Sequence, residues 1–156
     1  MFLSSPAFQD RKPIPTIYAH RGVVGGQNIS IPLEWSDAPP ETRSFALSIV
    51  DPHPVAHYWV HWLVIDIPKN AGGFTRGASG NRMPKGSREL YNSYGESGFG
   101  GPEPPKGSGP HPYEVTIYAL NVDDLGLGVN TTLSAFQKSL EGKIIASAKI
   151  TGIYER

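Results

Sequence analysis

Apolar and polar residues alternate most regularly over residues 44–50, where Phe45, Leu47 and Ile49 share one face and Asp51 continues the phase just past them. That pattern predicts a strand that ends in a carboxylate. Residues 59–67 are aromatic and β-branched, with apolar side chains on both faces, which predicts a central strand covered on both sides. Strict alternation would place Trp59, His61 and Leu63 on one face of it. In residues 113–120, Tyr113, Val115, Ile117 and Ala119 fall together, and residues 144–154 read as a fourth strand with small residues interleaved. Residues 16–20 and 31–35 are weaker strand candidates. Helical spacing occurs in one place: Leu133, Phe136 and Leu140, capped by Thr131 or Thr132 and ended by Gly142. Residues 71–110 are rich in glycine and proline, and only Glu89, Leu90 and Tyr91 carry an ordered pattern there. A loop that long in a compact domain is functional or disordered. The elements predict a mainly β, mostly antiparallel domain with one or two peripheral helices.

The chain has 156 residues, enough for a single domain, residues 1–156, with its own core. Glycine and proline exceed a fifth of the residues without a repeating period, which implies many turns rather than disorder. There is no cysteine, so disulfides and thiolate metal sites are excluded. The formal charge is zero, without the basic footprint of a nucleic-acid binder. One local excess, Arg76, Arg82, Lys85 and Arg88, reads as a solvated loop. No secretory leader and no membrane-length apolar run is recognisable, so a cytoplasmic location is expected.

Four of the five histidines lie in two proline-laced segments. The first runs from Asp51, Pro52, His53 and Pro54 to His57, Trp59 and His61; the second runs from Gly101 and Pro102 to His111 and Tyr113. On a strand, His57 and His61 would stand about 13 Å apart at ~3.3 Å per residue, which disfavours a shared zinc ion. A lone histidine on an apolar face reads as a core residue, but Asp51 ends one strand and His111 begins another. Prolines stiffen both approaches. Rigid loops that present polar groups at a sheet end make a preorganised cavity, and one lined by imidazoles reads charge. Nucleotide-binding glycine loops and the G-x-S-x-G elbow are absent.

These segments also resemble the phosphatidylethanolamine-binding protein family, which includes Raf kinase inhibitor protein, and its short bacterial and archaeal branch in particular. The resemblance runs through Asn28 to Trp35, Asp51-Pro52, Trp59-x-His61-Trp62, Tyr94 to Pro102, Pro104 to Gly107, His111-Pro112-Tyr113, and Ala146 to Tyr154. It implies a β-sandwich-like core with an anion pocket at one sheet end. Carried over by motif, the pocket residues are Asp51, Trp59, His61, Gly101, Pro102, His111 and Tyr113. His53 joins them where the family's motif has a second aspartate, and Pro112 replaces the usual arginine.

The leading expectation is a non-enzymatic binding protein for a small anionic or phosphorylated group, without cofactor or metal. His61 and His111 would donate to its oxygens, helped by loop N–H groups near Gly101, and binding would strengthen as the histidines protonate. Asp51 would orient a histidine or accept from a protonated ligand oxygen, and Trp59 and Tyr113 would wall the cavity. Peripheral contact with lipid head groups and a homodimer are further implications of the resemblance. The alternative is an interaction protein that inhibits a serine protease or kinase through its basic, glycine-rich loop. A hydrolase with His61 or His111 as general base lacks a nucleophile placed by any motif.

Overall fold

The computed structural model describes residues 1–156. Two open sheets face each other. The larger has six strands in the order β2 (Lys12–Pro13), β9 (Ile144–Tyr154), β8 (His111–Leu120), β4 (Ser44–Asp51), β5 (Trp59–Pro68), β7 (Arg88–Glu89). The smaller has the order β1 (Phe2–Ser4), β3 (Leu33–Ser36), β6 (Gly73–Phe74). The pairings are antiparallel except for β2 with β9, which is parallel.

The main core lies between the sheets. Phe45, Leu47, Ile49, Trp62, Val115 and Ile117 from the large sheet meet Leu3, Leu33, Trp35 and Phe74 from the small one. A second core covers the other face of the large sheet, where Ala46, Leu63, Ile65 and Leu120 meet Phe136 and Leu140 of the single α-helix, α1 (Leu133–Leu140). β4 and β5 are therefore buried on both faces, as the apolar run of β5 predicts. Thr132 caps α1 by accepting from the Ala135 N–H at 3.1 Å.

Local patterns misplaced some elements. Residues 16–20 form a 3-10 turn (Thr16–Tyr18) between two prolines and the glycine-rich segment that follows, not a strand. β1 is too short for alternation to show. The long 71–110 segment is ordered by backbone hydrogen bonds to strands: Leu90 N–H to the Leu63 carbonyl, Ser93 N–H to Val60, and Gly100 N–H to His61. Its basic residues are partly engaged with the body. Arg76 sits 6.0 Å over the Tyr18 ring, Arg82 donates to the Arg76 carbonyl, and Arg88 lies 3.7 Å from Asp66.

Phe136 is fully buried and packs edge-on against Tyr118, so it anchors α1 to the sheet face remote from the strand ends discussed below. Phe136→Ala should destabilise the fold by about 3–5 kcal/mol in chemical denaturation. Chemical shifts of Asp51, His61 and His111 should stay in place; a broad change there would show that the two cores are not separable.

Candidate functional site

In an antiparallel sheet the end of one strand lies beside the start of the next. Here the end of β4 (Asp51), the starts of β5 (Trp59, His61) and β8 (His111, Tyr113), and the end of β9 meet at one edge. A cavity of about 520 Å³ opens there, lined by all five of those side chains. Three other candidates stand behind it. The His53 ring stacks on His111, with centroids 3.8 Å apart. Gly101 gives its N–H to Asn28 Oδ1, and Gly100 gives its N–H to the His61 carbonyl. The loop N–H groups expected to bind an anion are thus spent within the protein. A Cβ at position 101 would sit 2.1 Å from the Tyr18 carbonyl oxygen, so only glycine fits that close approach. The Pro102 carbonyl accepts from the His20 N–H.

His61 reaches the cavity through a bulge. Ile49 pairs with Trp62 and Val50 with Val60, which leaves His61 as an extra residue in β5. The bulge resets the alternation expected from the sequence. Trp62 joins the inter-sheet core, Leu63 turns to the helix side, and His61 faces the cavity. The His61 ring is 3% exposed, and its Nδ1–H donates to the Gly100 carbonyl at 2.7 Å. Nε2 has no partner in the chain. Burial lowers its pKa to about 4, outweighing the Gly100 hydrogen bond and the Asp51 charge. At neutral pH His61 is uncharged, and its free nitrogen is an acceptor rather than the donor expected from the sequence.

His111 is different. Its Nδ1–H donates to Asp51 Oδ2 at 2.6 Å, and its Nε2 meets Ser108 Oγ at 2.9 Å. Both nitrogens are occupied, so neither is left to donate to a ligand oxygen. Both oxygens of Asp51 are engaged as well, since Oδ1 accepts the His53 N–H at 2.9 Å. Asp51 thus orients a histidine, and His111 holds the loop that carries Ser108. This Asp–His–Ser connectivity resembles an acyl-transfer triad, but Ser108 Oγ–H donates to the Pro105 carbonyl at 2.6 Å. The hydroxyl hydrogen is thus directed at that carbonyl and away from His111, and Ser108 is not on the cavity wall.

Three polar wall residues were not singled out in the sequence: Tyr94, Glu103 and Arg156. Tyr94 donates to the Gly101 carbonyl and stacks on His20 at 4.1 Å. His20 Nδ1 in turn meets Glu103 Oε2 at 2.7 Å. Arg156 is tethered by its Nε–H to the Pro104 carbonyl at 2.6 Å, which leaves its terminal nitrogens uncommitted. It is the one arginine or lysine on the wall. Tyr113 is 1% exposed, and its hydroxyl has no partner in the chain. Burial, followed by the Asp51 charge, raises its pKa. The enclosed Trp59 Nε1–H is also unpaired.

A profile of the phosphatidylethanolamine-binding protein family matches residues 4–155. The chain belongs to that family. A UPF0098 protein of Methanothermobacter thermautotrophicus is 36% identical over all of this chain and 99% of its own length. The crystal structure of Escherichia coli YbcL, described as a new member of the mammalian family, superposes with a TM-score of 0.92. That match has 31% identity and covers 99% of this chain and 97% of YbcL. The Chlamydia trachomatis homologue CT736 gives 0.85, at 31% identity and with the same coverage. No helix in this family member is long and apolar enough to cross a membrane.

The neutral burial of His61 has a stability signature. Below about pH 6.5 the unfolded chain takes up a proton that the folded His61 refuses until about pH 4. Stability is therefore lost as pH falls through that window, by about 3 kcal/mol at 1.36 kcal/mol per pKa unit. His61→Gln removes this loss. The unfolding free energy of wild type minus that of the variant should drop by about 3 kcal/mol from pH 7 to pH 4. A difference that stays flat in urea titrations would show that His61 is not held neutral.

Proposed function

We propose that this family member is a non-enzymatic binding protein whose cavity takes a small phosphorylated or similar oxyanionic group. One observation carries the reading. Two deeply buried side chains, His61 and Tyr113, turn polar atoms without protein partners to a cavity whose one arginine or lysine is Arg156, and beside them the Trp59 Nε1–H is buried with no partner at all. Buried polar groups without partners are rare in folded proteins, and the cost of the Trp59 N–H is offset when a ligand completes it. Donors from Arg156, Tyr113 and Trp59 suit oxyanion oxygens, and a guanidinium supplies the stronger, charge-assisted bonds. The cavity falls within the 300–1,000 Å³ range common for small-molecule sites. The family's name supports a phosphorylated head group as the ligand type.

O-phosphoethanolamine and inorganic phosphate, titrated by NMR or calorimetry, test this. Perturbations should centre on His61, Tyr113 and Arg156. Arg156→Ala should weaken binding about tenfold or more, the scale of one charge-assisted hydrogen bond. Unchanged affinity in that variant would remove Arg156 from the site.

The non-enzymatic half of the reading is tested at Ser108. A serine-reactive fluorophosphonate should leave it unlabelled, and Ser108→Ala should bind O-phosphoethanolamine as wild type does. Ester turnover that disappears in Ser108→Ala would make the Asp51–His111–Ser108 chain catalytic.

A further inference from the structure

We infer that the cavity selects the hydrogen-bearing form of its ligand, with His61 Nε2 accepting a hydrogen bond from a P–O–H group. The preferred class is then a phosphate monoester or inorganic phosphate as its monoprotonated anion, over a diester, a sulfate ester or a fully deprotonated phosphate. The inference rests on the oxyanion-binding reading above and sharpens its chemistry.

The geometry fixes the direction of this hydrogen bond. Nδ1 of His61 faces the Gly100 carbonyl at 2.7 Å, an oxygen that can only accept, so Nδ1 must carry the ring hydrogen. The Gly100 N–H closes the pair by donating to the His61 carbonyl at 2.8 Å, so the ring and the loop hold one another in register. A neutral imidazole has one hydrogen, which leaves Nε2 with a lone pair. No donor of the protein reaches it.

Charged and titratable groups approach the ring from several elements, while its inner side meets apolar residues such as Ile49 and Phe99. From β4, Asp51 favours a proton on His61, while its two oxygens each accept one hydrogen bond, from His53 N–H and from His111. His20 opposes that proton and is paired with Glu103. From β8, Tyr113 meets the ring edge-on at 4.9 Å, and Tyr94 meets it at 6.0 Å. Glu103 and Arg156 complete the wall. Burial outweighs these charges and holds the pKa near 4, so Nε2 is an acceptor throughout the neutral range.

An oxyanion without hydrogen would set a lone pair against a lone pair. A monoprotonated phosphate has both kinds of atom: unprotonated oxygens for Arg156 and Tyr113, and one O–H for His61. A site built to pair with a ligand hydrogen discriminates strongly against an analogue that lacks it. The second ionisation of a phosphate monoester lies near pH 6, so ligand and site match between about pH 4 and pH 6.

Three ligands that share an ethanolamine group decide the matter: O-phosphoethanolamine, 2-aminoethyl sulfate and glycerophosphoethanolamine. In this pH range the sulfate ester and the phosphodiester carry no acidic oxygen-bound hydrogen. Calorimetry of the full chain at pH 5.5 should show O-phosphoethanolamine binding at least tenfold more tightly than either of the others. Its advantage over the sulfate should fall about twentyfold by pH 7.5 as the monoanion disappears.

His61→Gln should abolish the preference, because an amide turns either its oxygen or its nitrogen to the ligand. Should that variant fail to fold, the ratio measured on wild type decides alone. Inorganic phosphate that competes fully would place the recognised chemistry in the phosphate. Competition only by vesicles containing a phosphomonoester lipid would place the same chemistry at a membrane surface. Equal binding of the three ethanolamine ligands would overturn hydrogen selection and leave the oxyanion reading standing. Binding of none of them, nor of inorganic phosphate, would end both.

Discussion

His61 and Gly100 exchange two hydrogen bonds, ring nitrogen to carbonyl and backbone N–H to carbonyl. The rest of the site depends on that exchange. It ties the glycine-rich loop to the central strand at the position where β5 carries its extra residue. It sets the tautomer of a ring with almost no solvent contact. It also occupies the Gly100 N–H. Its physical logic is desolvation: an imidazolium would lose its hydration in this setting, whereas a neutral ring with one satisfied nitrogen loses little.

The second imidazole on the wall solves the same burial problem differently. His111 has no solvent exposure, yet it meets a carboxylate on one side and a hydroxyl on the other. Breaking such a pair would leave an uncompensated polar group in the interior. Its role follows from that. His111 and Asp51 join the end of β4 to the start of β8 and hold the Ser108 loop, while His61 keeps a nitrogen for whatever enters. Two histidines that look alike in sequence thus divide into a structural and a ligand-facing residue, and hydrogen-bond partners make the division.

The long strands and the helix were legible because their periodicity reflects burial directly. Phe45, Leu47 and Ile49 alternate in β4, and Leu133, Phe136 and Leu140 recur at helical spacing in α1. The meeting of Asp51, His61 and His111 was legible because strand ends in an antiparallel sheet are neighbours. The parting of Leu63 from His61 was not, because a bulge breaks the two-residue period and nothing in Trp59–Trp62 marks it. Tyr94, Glu103 and Arg156 escaped for a related reason. They come from a loop and a strand terminus, where long-range hydrogen bonds to Gly101, His20 and Pro104 set direction and no local pattern records it.

The replacement at position 112 shows how the cavity obtains its charge. Along β8, His111 and Tyr113 are buried on the cavity side, and the half-buried Pro112 alternates to the other face. A side chain at 112 therefore projects away from the cavity floor. The loss of the arginine usual there takes no guanidinium from the wall this chain builds. Pro112 lies opposite Ile153 of β9. Three residues beyond that partner, Arg156 turns back across the strand ends and is pinned by the Pro104 carbonyl. The cation of this site comes from just past the end of the strand paired with β8, with its stem fixed and its terminal donors free. Net charge summed over the motif would miss this, because the motif contains neither Arg156 nor the fold that brings it there.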